Sequence, residues 1–205
     1  MKRYLIVLSV LLTALTMTAC TKEKENLPNP FFEEWTTPYG VPPFERIQTY
    51  HYAPAFERAM SLHLEEIDAI ASNSEEPTFE NTILELDRSG MLLANISELF
   101  GMMCAAMNSD EMQKIQEKVM PLLAAHYDAI SMNDELFKRI KVVYDKRHST
   151  DLNEDQIRLV EKMYDSAVRE GALLNEEQKA RLQKINEELS LLTVKFDNNL
   201  LAETN

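Results

Sequence analysis

The stretch "SLHLEEIDAI", Ser61 to Ile70, places His63 beside Glu65 and Glu66 on a segment of helical spacing, the kind of neighbourhood from which a helix builds a zinc site. In the arrangement H-E-x-x-H, two imidazoles stand one turn apart and the intervening glutamate serves as general base. Here the glutamate position holds Leu64 and the second imidazole position holds Ile67. The inverted order H-x-x-E-H is met at His63 and Glu66 and fails again at Ile67. One imidazole and one carboxylate fall short of the ligands that zinc takes. His63 therefore reads as a histidine at the edge of an apolar stripe, hydrogen-bonded locally.

The other histidines add no ligand set. Asp145-Lys146-Arg147-His148 approximates the E-x-x-H element of di-metal bundles, but it stands alone and in an expected connection. His126 falls in an apolar stripe, the usual place of a satisfied buried histidine. His51 lies between Tyr50 and Tyr52 with no cysteine or carboxylate at ligand spacing. With 4 glycines the chain has no phosphate-cradling loop, and it has no G-x-S-x-G. No catalytic residue and no metal ligand is assigned to these residues.

Cys20 is the one residue assigned covalent chemistry. The opening "MKRYLIVLSVLLTALTMTAC" has a basic start at Lys2 and Arg3, an apolar run from Leu5 to Leu15 and small residues before the cysteine. That run is shorter than the roughly 20 residues a spanning helix needs. Met17-Thr18-Ala19-Cys20 resembles the lipobox of bacterial lipoproteins, in which the sulfur is acylated and the chain is cut before it. The expectation is a signal peptide over 1–19, a polar linker over 20–30 and a helical region over 31–205. The exported product would be periplasmic or membrane-anchored. Cys104 is then left as the only thiol, so no intramolecular disulfide is expected. Loss of Lys2 and Arg3 with the leader takes the formal charge from −13 to −15. Such a surface repels phosphate backbones and anionic headgroups, which argues against nucleic acid and leaves the lipid as the membrane attachment.

These residues sit on elements that read as all-α, because apolar spacing of three and four runs from about Pro54 to the end of the chain. Phe31 to Pro54 carries half of the prolines and reads as an irregular arm packed by its aromatics. About six amphipathic helices follow. The first spans about Ala53 to Ser72. The second starts at the cap Thr78 and carries Phe79, Ile83, Leu86, Leu93 and Phe100, with Gly90 allowing a close approach and Gly101 near its stop. The third starts at Ser109 with the stripe Met112, Ile115, Val119, Leu122, His126 and Ile130, and Pro121 is expected to kink it. The fourth follows Asn133. The fifth and sixth start at Asn153 and Asn175, each with glutamine three residues on to complete a capping box. In the sixth, Leu182, Ile185, Leu189, Leu192, Phe196 and Leu200 form an apolar stripe.

Several stretches together resemble one family: "NPFFEEWTTPYGVPPFERI", "HYAPAFERAM", "PTFENTI", "MPLLAAHYDAI", "NDELFKRIKVVYD" and "INEELSLLTVKFDNNLLAET". They are similar to the amino-terminal region of the thimet-oligopeptidase-like zinc metallopeptidases, in the bacterial peptidyl-dipeptidase branch. The resemblance covers about Asn29 to Thr204. It implies a helical lobe beside a deep channel that admits short peptides, in an enzyme that removes dipeptides from carboxyl ends. It also implies that the zinc and its H-E-x-x-H ligands belong to a downstream region, so these residues are expected to be inactive alone. The missing carboxyl-terminal lobe is expected to pack on the helix Asn175 to Glu203. The rival expectation is a stand-alone helical lipoprotein that binds a partner through a helix face and has no enzymatic role.

Overall fold

The computed structural model describes residues 28–204; Cys20 and the expected leader lie outside them. Among the described residues the chain is helical and has no strand. Six long helices and one short one are present: α1 (Thr49–Ala71), α2 (Glu85–Arg88), α3 (Met91–Ala106), α4 (Asp110–Ser131), α5 (Asp134–Lys146), α6 (Glu154–Arg169) and α7 (Glu176–Thr204). A π-helical segment, Phe79–Leu84, leads directly into α2.

The local starts follow side-chain chemistry. Oxygens of Thr78, Ser109, Asn133, Asn153 and Asn175 accept from the backbone N–H three residues on, which satisfies a donor the helix cannot. Gln156 and Gln178 accept in return from the N–H of Asn153 and Asn175, at 2.9 and 3.2 Å.

Three expectations need correction. The arm is shorter than expected, because α1 begins at Thr49 rather than about Ala53. Pro54 still fits in its second turn, and His51 Nδ1 accepts the Gln48 N–H at 2.9 Å to cap the start. Of the arm's aromatics Phe31 is buried against Tyr52 at 5.2 Å, while Phe32, Tyr39 and Phe44 are exposed. The expected second helix is divided at Ser89–Gly90, where Gly90 takes φ +70 and ends the first run, and α3 continues past Gly101 to Ala106. In α4, Leu123 is buried and Leu122 faces out, because at 3.6 residues per turn the residue four after Val119 falls nearer the buried face than the residue three after it, while Met112, Val119 and His126 of the expected stripe are buried.

α1 is the common wall of two apolar clusters. Its first half packs Tyr52, Phe56 and Ala59 against Leu93, Ile96 and Phe100 of α3 and Met112, Val119 and Leu123 of α4. Phe56 and Phe100 meet edge-on, centroids 5.4 Å apart. The second half packs Ile67 and Ile70 against Phe79, Ile83, Leu136, Ile140, Val143 and Val160. The run Phe79–Ala106 is apolar enough by length and composition to cross a membrane, with mean hydropathy 1.3. It is nonetheless broken at Gly90, and the inward side of α3 is spent on the first cluster.

Candidate functional site

His63 occupies the point on α1 where the first apolar cluster ends and the second begins, in the buried series Phe56, Ala59, His63, Ile67 and Ile70. His126 comes to the same place from α4. Their rings lie 5.0 Å apart, and His126 Nε2 is 3.0 Å from His63 Nδ1. His63 Nε2 is 3.2 Å from Ser89 Oγ, and that hydroxyl donates to the Leu86 carbonyl at 2.8 Å. The donors settle the order of protons. Since Ser89 spends its hydrogen on Leu86, His63 donates from Nε2 to Ser89 and accepts at Nδ1 from His126 Nε2–H. His126 Nδ1 is left as a bare acceptor, buried and without a partner.

Gly90 makes this possible. A Cβ there would stand 2.7 Å from Cε1 and Nδ1 of the His63 ring, and the left-handed φ already favours glycine. Its N–H donates to Glu66 Oε2 at 2.7 Å, which ties the junction between α2 and α3 to the turn of α1 below His63. Both imidazoles are held neutral. Burial lowers the His63 pKa, with the Glu66 carboxylate opposing, and burial followed by the neighbouring His63 lowers that of His126 from 6.5 to about 4.

The expected local hydrogen bonding of His63 is thus corrected, since its partners lie 26 and 63 residues away. His126 is not fully satisfied. His51 is a helix cap. His148 is exposed in the turn after α5, and Asp145 is engaged by Lys141 at 2.6 Å. Among the described residues no three of His, Cys, Asp and Glu converge as a metal site. His63 and His126 turn their facing nitrogens on each other, and their surroundings do not fit a zinc donor set.

Arg139 was not singled out by sequence. It is buried, and its guanidinium donates to the carbonyls of Asn73 and Glu75 at 2.6 and 3.0 Å, to Asn81 Oδ1 at 2.9 Å and to Thr82 Oγ1 at 3.1 Å. It gathers the loop after α1 onto the π-helical segment. The available signal was a basic residue inside the stripe Leu136, Ile140 and Val143.

α7 lies along α4 and docks through its polar side. Lys179 donates to the Met132 carbonyl and Asp134, and Asn186 to Asp128 Oδ1 at 2.7 Å; Val194 is the buried apolar contact. The expected apolar stripe faces the other way, with Ile185, Leu189, Leu192 and Phe196 about half to two-thirds exposed.

No family model matches the chain. It is 41% identical over 174 residues to dipeptidyl carboxypeptidase of Escherichia coli, covering 85% of this chain and 26% of that protein. The chain is homologous to the amino-terminal quarter of the dipeptidyl carboxypeptidases, within the oligopeptidase family. The Salmonella typhimurium dipeptidyl carboxypeptidase is 39% identical over the same length. Oligopeptidase A of Escherichia coli is 26% identical over 172 residues, covering 82% of this chain and 25% of that protein. The chain spans about a quarter of the length of the curated relatives it matches.

Proposed function

We propose that these residues form the amino-terminal, channel-side helical lobe of a zinc peptidase that removes dipeptides from the carboxyl ends of oligopeptides. The observation that carries this reading is the 41% identity to dipeptidyl carboxypeptidase across 85% of the chain. The zinc ligands and the reacting water belong, on this reading, to the part of the relatives that this chain does not match. The role of the present residues is scaffolding, and no catalytic step is placed on them. The outward stripe of α7 supports the same reading, because an apolar helix face of this size calls for a cover, and the downstream lobe is the proposed one.

The test is a chimera in which residues 28–204 replace the matching quarter of the Escherichia coli enzyme. It should release carboxyl-terminal dipeptides in a chelator-sensitive manner, whereas the present chain alone should release none. A chimera that unfolds cooperatively, binds zinc and cleaves nothing would count against the proposal. Export and acylation at Cys20 are part of the proposed setting, and the lipid is the proposed membrane attachment.

A further inference from the structure

Protons in the chain Leu86–Ser89–His63–His126 run in one direction, and every polar atom along it is engaged except one. His63 Nε2 carries a hydrogen for Ser89, His63 Nδ1 receives one, and His126 Nε2 supplies it. A further proton can enter without breaking the chain only at His126 Nδ1. That atom is sealed from solvent and has no acceptor within reach. The resulting imidazolium would be a buried cation with no hydrogen-bonded counterion, which a folded protein avoids by staying neutral or by opening.

The charged neighbours do not relieve it. On α1, Glu66 is turned to the Gly90 N–H and acts on His63 rather than His126. In the junction before α3, the group in contact is the Ser89 hydroxyl, with Arg88 next to it in sequence. On α4, the Tyr127 ring lies 5.3 Å from His126, and Asp128, whose Oδ1 accepts from Asn186 of α7 and whose buried Oδ2 has no partner, makes no hydrogen bond to His126. His63 is the one ring in hydrogen-bond contact, and it already receives the His126 hydrogen.

We propose that the His63–His126 pair is an acid-released latch, which holds α1, the Ser89–Gly90 junction and α4 together while both rings are neutral and lets α4 part from α1 when His126 takes a proton. The placement suits a latch, because the pair bridges residues 63 positions apart at the seam between the two apolar clusters. The direction of the effect follows from the lowered basicity of His126. A base whose folded-state pKa lies below its unfolded value stabilises the fold above the unfolded value, and that stability is lost as pH falls through the folded value. For His126 the window runs from 6.5 down to about 4.

The experiment compares the full chain with its His126→Gln variant by urea unfolding across that window. The glutamine amide can still donate to His63 Nδ1 but does not titrate. The folded-to-unfolded ratio of the wild type should fall about a hundredfold more than that of the variant across the window. Amides of α1 and α4 beside the pair, such as Ile67 and Leu123, should exchange faster in the wild type on acidification, after correction for intrinsic rates. Parallel profiles for the two proteins would overturn the proposal, since a purely structural pair shifts stability equally at every pH. If His126→Gln does not fold, NMR titration of the His126 Cε1 proton in the wild type decides. A midpoint near 4 that coincides with faster exchange at Ile67 and Leu123 supports the latch, and a midpoint at or above 6.5 overturns it.

Discussion

At the residue scale, two demands meet at Gly90. Its φ of +70 costs an ordinary L-residue about 1–2 kcal/mol. A Cβ would also press into the His63 ring at 2.7 Å, an overpacking that costs about 1–3 kcal/mol. Gly90→Ala should therefore lower stability by about 2–5 kcal/mol in urea unfolding. Gly90→Asn separates the two causes, since asparagine tolerates the left-handed backbone yet keeps the Cβ. It should recover only part of the loss, and full recovery would mean that the imidazole contact carries no energy. The need for a close approach at Gly90 was legible in the sequence, whereas its partner was not. His63 and His126 each look like an isolated polar residue in an apolar stripe, and nothing local announces that two such residues 63 apart will share one hydrogen bond. Arg139 was hidden for a similar reason, as its acceptors include the backbone carbonyls of Asn73 and Glu75, and every residue possesses a carbonyl.

At the element scale, the helix starts at Ser109, Asn133, Asn153 and Asn175 were readable because capping is decided within four residues. The start of α1 was misplaced because Pro54 read as the end of the arm, and a proline in the second turn is compatible with helix when the residues before it are capped by His51. The stripe on α7 was legible as apolar in the sequence, and the structure leaves Ile185, Leu189, Leu192, Phe196 and Leu200 of it exposed. Its opposite face shows why the helix docks at all, with Lys179 and Asn186 supplying charge-assisted and amide hydrogen bonds beside the buried Val194. Because the stripe contributes little to folding in this chain, the double substitution Leu189→Glu/Phe196→Glu should change stability by no more than about 1 kcal/mol. It should at the same time reduce self-association and hydrophobic-dye fluorescence of the isolated chain. A large loss of stability would show that the stripe is covered within the chain itself.

At the scale of the whole molecule, the formal charge of −13 over 205 residues keeps anionic surfaces at a distance, so the attachment proposed for Cys20 has to come from acyl chains. Metabolic labelling with a fatty-acid analogue should mark the wild type and not Cys20→Ala, and the variant should move to the soluble fraction; label that persists on the variant would refute acylation at this residue. The two clusters along α1 have a further consequence for the order in which the protein can be assembled as it leaves the ribosome. Every core member of the first cluster has been synthesised once Leu123 has emerged, but the second cluster waits for Val160. For that interval one end of α1 can already be packed while Ile67 and Ile70 at the other lack their cover, so the nascent chain presents a half-finished helix whose exposed end awaits α5 and α6.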